Sequence, residues 1–88
     1  MKVSLEKLGS NMTAIHGNSS TVLFSYETPV ASHGPLGGMR SETYMTGGGK
    51  SVTTEKHITK FFREYGIEKK EVRVVKQAVI ERKLEKIL

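Results

Sequence analysis

Residue types and spacing first suggest chemistry at Gly47-Gly48-Gly49-Lys50-Ser51, where glycine amides, a lysine and a hydroxyl precede a helix. A Walker A loop needs a glycine, four residues, then Gly-Lys-Ser/Thr. Aligned on Lys50 and Ser51, that first glycine falls at Tyr44, so the tight turn is missing. A chain of 88 residues also leaves no room for a parallel sheet with a second magnesium-binding strand. Nucleotide hydrolysis is not expected. The string reads as a flexible linker into a helix, with weak phosphate capture by its amides and Lys50 as the alternative.

The imidazoles are His16, His33 and His57. They lie in separate segments, without the i, i+4 spacing of a helical zinc pair. His57, beside an apolar stripe, reads as a packing residue at the boundary of the core. There is no cysteine, which excludes a disulfide framework, a zinc ribbon, an iron–sulfur cluster and a thiol nucleophile. No Gly-x-Ser-x-Gly elbow occurs, and the carboxylates Glu68 and Glu71 sit in a lysine-rich, solvated stretch. The expectation is a protein that is not an enzyme and that needs no cofactor or metal.

One constellation remains. Lys56, Lys60 and Arg63 recur at i, i+4 and i+7, on the side of a helix opposite Ile58, Phe61, Phe62 and Tyr65. Such a row of cations suits the phosphates of a nucleic acid. Lys50 and Arg40 extend it if the preceding hairpin folds beside the helix. The plain alternative is a solvated face, since an amphipathic helix must put something polar outward. The formal charge is +5, and residues 53–88 carry most of it, with ten basic against six acidic side chains. That excess permits nucleic acid or an acidic protein surface as partner.

The elements that would position these side chains follow from periodicity. Fifteen of the sixteen Ser and Thr residues, and eight of the nine Gly, lie at or before Thr54, whereas Lys, Glu, Ile and Val dominate beyond it. Strands and turns therefore precede helices within one domain, residues 1–88, because neither half could bury a core alone. Val3–Leu8 and Met12–His16 read as short strands, and Gly17-Asn18-Ser19-Ser20 as a turn. Thr21–Ala31 reads as one long strand with Val22, Phe24 and Tyr26 on its apolar face, and with Pro29 at an edge or a bulge. His33–Gly38 reads as a loop and Met39–Thr46 as a polar, peripheral strand. A helix is predicted over Thr53–Tyr65, capped by Thr53 or Thr54 and stopped at Gly66 with Ile67 packed behind it. The last twenty residues read as a strand around Val72–Val75 and a terminal helix, or as one long helix. No run of about 18 apolar residues spans a membrane. The N-terminus lacks the apolar segment of a signal peptide, so an intracellular protein is expected and the triplets Asn11-Met12-Thr13 and Asn18-Ser19-Ser20 are chance matches.

Two patterns carry a resemblance. Tyr26-Glu27-Thr28-Pro29-Val30-Ala31 closes a strand, and Thr53-Thr54-Glu55-Lys56-His57-Ile58-Thr59-Lys60 opens the helix. Together they resemble a family of small uncharacterised proteins of tailed bacteriophages, in which a Tyr-x-Thr-Pro-Val-Ala strand precedes a Thr-Thr-x-Lys-His-Ile-x-Lys helix. The resemblance covers roughly residues 22–62. It implies a phage or prophage origin and a host-cytoplasmic location, and brings no activity with it.

The sequence thus predicts an α+β domain: a small antiparallel sheet of three to five strands, one helix packed across it, and a C-terminal helix. That last helix either covers the rest of the sheet or reaches a second copy through Ile80, Leu84 and Leu88. The expected function is a phage-type accessory module that contacts nucleic acid through Lys56, Lys60, Arg63, Lys50 and Arg40. The alternative is a module that binds and modulates a host protein. A third reading is a phosphate- or nucleotide-binding protein using Gly47–Ser51.

Overall fold

The computed structural model describes residues 3–17, 20–36, 40–48 and 51–87. Among these the order is β1 (Ser4–Gly9), β2 (Met12–Gly17), β3 (Ser20–Ser25), β4 (Thr28–Leu36), β5 (Arg40–Thr46), α1 (Val52–Glu64), a 3-10 turn (Lys69–Glu71), β6 (Val72–Val75) and α2 (Gln77–Ile87). The strands lie in the sheet in chain order. β1 to β5 form an antiparallel meander, and β6 joins β5 in parallel after α1 has carried the chain back.

The α+β class and the strand-plus-helix division of the last segment match the sequence expectation. The sheet is larger than expected, with six strands among the described residues instead of three to five. The cause is local. Thr21–Ala31 is not one strand, because Tyr26 adopts a left-handed backbone (φ 58°) and turns the chain into a hairpin in which Ser25 pairs with Thr28. Pro29 is tolerated because the β3–β4 register slips beside it, leaving Val30 as the extra residue of a bulge. His33 to Leu36 continue β4 and are not a loop. β5 is not peripheral, since β6 covers its outer edge.

Both faces of the sheet are covered, by different helices. Ile58, Phe61 and Phe62 of α1 pack on Met12, Leu23, Val30 and Ala31, with Met45, Ile67 and Val72 at the margin. Tyr44, next to Met45, points to the other face, where the ammonium of Lys83 in α2 stands 4.9 Å from its ring centre. Gly17 also looks that way, and a Cβ there would lie 3.0 Å from the Ile87 carbonyl. Val22, Ile80 and Ile87 are buried in this second layer. The stripe of Ile80 and Leu84 is thus occupied within the chain, and Leu88 lies outside the described residues. Leu23, expected on a mixed face, is fully buried for the same reason. Of the apolar faces read from the sequence, Tyr26 is 54% exposed at its hairpin tip, and Phe24 and Tyr65 are half-buried.

α1 is capped two to three residues earlier than predicted. Ser51, not Thr53 or Thr54, is the N-cap, its hydroxyl accepting from the Thr54 amide at 3.1 Å. The other end is as predicted. Gly66 takes φ 65°, the Ile67 amide donates to the Phe62 carbonyl at 2.8 Å, the Gly66 amide donates to Arg63, and Ile67 packs on the core.

Candidate nucleic-acid interface

α1 fixes the outward direction of its cations by burying the opposite stripe. With Ile58, Phe61 and Phe62 in the core, the 3.6-residue period turns Lys56, Lys60 and Arg63 to solvent, and all three are exposed. Among the described residues no carboxylate pairs with any of them; the ion pairs present join His16 to Glu6 and Lys70 to Glu68. Glu55 and Glu64 lie on the two flanks of the helix, off the row. The Lys60 ammonium donates to the Leu8 carbonyl at 2.9 Å, which ties the middle of the row to the end of β1. Arg63 stands at the rim of a groove of about 560 Å³ floored by Met45, Ile58, Phe62 and Ile67.

The other two predicted contributors are not placed in this row by a contact. Lys50 lies outside the described residues. Arg40 opens β5 opposite Leu36, at the end of the strand away from Thr46, after which the chain turns into α1. The sheet therefore does not bring Arg40 beside Lys56 at the start of the helix.

Each histidine bonds a hydroxyl through Nδ1: His16 to Thr21 at 2.8 Å, His33 to Thr43 at 2.7 Å and His57 to Ser25 at 2.7 Å. Two groups result. Where α1 ends, the Tyr65 ring lies 6.3 Å from His16 and 6.2 Å from His33, and Glu6 accepts from the Tyr65 hydroxyl at 3.4 Å. Burial, then the Glu6 carboxylate and more distantly Glu64, pushes the Tyr65 hydroxyl above its ordinary value of 10.0. No three of the described His and Glu residues come together in a way that could hold a metal ion.

Where α1 begins, hydroxyls form a chain. Ser51 donates to Thr54 at 3.1 Å, Thr54 meets Ser25 at 3.0 Å, and Ser25 meets His57. Every member is satisfied when each hydroxyl donates to the next and the Nδ1 of His57 accepts at the end. The Tyr26 ring leans on His57, 5.8 Å between centres. This group joins β3 to α1 across 32 positions of sequence. Sequence reasoning placed His57 at the core boundary but found neither Ser25 nor Tyr26 as its partner. Chain position carries no sign of such a contact.

The match to known families covers most of the chain: the model described as "Family of unknown function (DUF8033)" fits residues 3–82. No curated protein matches, and neither does any solved structure.

Proposed function

The chain belongs to the DUF8033 family, whose description assigns no activity, and from the site itself we propose a non-enzymatic module that holds nucleic acid on the outward face of α1. The observation that carries this reading is the row Lys56, Lys60 and Arg63: three exposed cations on a rigid, capped helix, none paired with a carboxylate among the described residues. Successive turns of a helix place such side chains about 5–6 Å apart, within reach of neighbouring phosphates. Contacts of this kind are independent of sequence, with dissociation constants of roughly 10⁻⁴ to 10⁻⁶ M at physiological salt. The proposal includes a phage accessory role in the host cytoplasm, which rests on the Tyr26–Ala31 and Thr53–Lys60 patterns alone.

The test is fluorescence anisotropy of a labelled twelve-base duplex and its single strand at low salt. The wild type should bind both, and the pair Lys56→Gln with Arg63→Gln should bind at least about tenfold more weakly, each lost phosphate contact removing a charge-assisted bond. Absence of binding to either probe rejects the reading.

The groove beside Arg63 supports a second reading, a module that docks on a host protein. Its floor is apolar, and Val74 and Val52 are exposed by 65% and 70%. Capture of a host protein that persists after nuclease treatment would favour it over the first.

A further inference from the structure

We infer that the nucleic acid is read as a single strand, one unstacked base lying on Tyr26 with its edge in the pocket behind that ring. The inference rests on the reading of α1 given above and names what the start of that helix adds to it.

Tyr26 combines an unfavourable backbone conformation with a ring left largely outside the core. A bulky residue is held there in the left-handed region against steric strain, and its ring stays 54% exposed. Two contacts enforce the conformation: the Ser25–Thr28 pair of the hairpin, and the Tyr26 amide, which donates to the Asn11 carbonyl at 2.7 Å. His57 supports the ring from one side. A rigid aromatic presented to solvent is a stacking platform, and every base has a face to offer it.

Behind the ring is a pocket of about 360 Å³, bounded by Thr28, Val30, Thr46, Thr54 and Gln77 together with Ser25. No lining side chain carries a charge. The lining is mainly apolar, with hydroxyls and one amide set into it, which suits a planar heterocycle bearing a few donors and acceptors. Gln77 is held at the wall by its Nε2, which donates to the Pro29 carbonyl at 2.7 Å. The size falls at the low end of small-ligand sites, enough for a base and too small for a duplex.

The platform and the cations are continuous. Lys60 follows His57 by three positions, which makes the two side chains neighbours on the helix surface. A base on Tyr26 therefore leaves its sugar–phosphate toward Lys60 and Lys56. An uncharged pocket alone would suit many ligands. The adjoining row of cations selects one whose planar group is tethered to an anionic backbone.

The experiment uses a ten-nucleotide single strand containing 2-aminopurine, and the duplex made from it. The protein is wild type, Tyr26→Gly or Tyr26→Phe; glycine accepts a positive φ, so the first variant keeps the hairpin. Tyr26→Gly should bind the single strand about 5- to 150-fold more weakly, the range for losing one stacked base, and should bind the duplex as wild type does. Tyr26→Phe should keep the affinity, and the 2-aminopurine fluorescence should be quenched only when residue 26 is aromatic. If Tyr26→Gly binds the single strand within twofold of wild type, the inference is overturned while the reading of α1 stands. If wild type binds neither probe, both fall.

Discussion

Lys60 and Leu8 are joined by a hydrogen bond from ammonium to carbonyl across 52 positions of sequence. The middle cation of α1 is thereby held toward the end of β1, where a Cβ at Gly9 would lie 3.4 Å from its nitrogen. An ammonium has three donors, so this bond orients Lys60 and leaves hydrogens for a phosphate.

Replacing that side chain should therefore have two effects. Lys60→Met keeps the aliphatic stem and loses the bond, and should cost about 0.5–1.5 kcal/mol of stability by urea denaturation. It should also weaken DNA binding. Unchanged stability would mean that the bond does not hold the helix to β1.

Ser51→Ala removes the cap of α1 and the first donor of the hydroxyl chain. The expected loss is about 1 kcal/mol, within a range of roughly 0.5–2. For a domain of this size that lowers the melting temperature by about 4–8 °C per kcal/mol. Ser51→Asp should restore most of it, because a carboxylate accepts the Thr54 amide and favours the positive end of the helix. A calorimetric scan of the three proteins decides the point.

Tyr65 gives the molecule an alkaline limit. Its hydroxyl ionises less readily in the folded chain than in the unfolded one, through burial first and the Glu6 carboxylate second. The folded state then holds the proton more tightly. The stabilisation this gives is full below the unfolded value of 10.0 and is lost as pH rises through the folded value. Tyr65→Phe keeps the edge contact with Phe61, whose ring centre is 4.9 Å away, and cannot ionise. Urea midpoints measured between about pH 8 and 11 should fall more steeply for wild type than for the variant. Parallel curves would contradict the assignment.

Some of this could be seen in the sequence, and the difference lies in range. Ile58, Phe61 and Phe62 declare their face at the 3.6-residue period, and Gly66 with Ile67 declares the stop, because both signals are local. The Tyr26 turn was hidden. It uses no glycine, asparagine or proline at its tip, and the alternation of apolar residues runs through it. Leu23 looked like part of a mixed face because its cover, α1, is brought by tertiary folding. The pocket needs the ends of β3, β4 and β5 with Gln77 of α2, and the Ser25–His57 contact needs α1 laid across β3. No spacing rule reaches that far.

The central claim is that the outward row of α1 meets phosphates, and the salt dependence of duplex binding tests it most directly. Each phosphate neutralised contributes about −0.9 to the slope of log K against log salt, so Lys56, Lys60 and Arg63 together predict a slope near −2.7. Neutralising Lys56 or Arg63 singly should make it shallower by about 0.9. A slope that neither substitution changes would place the contact elsewhere on the molecule, and a slope near zero would remove nucleic acid from the account.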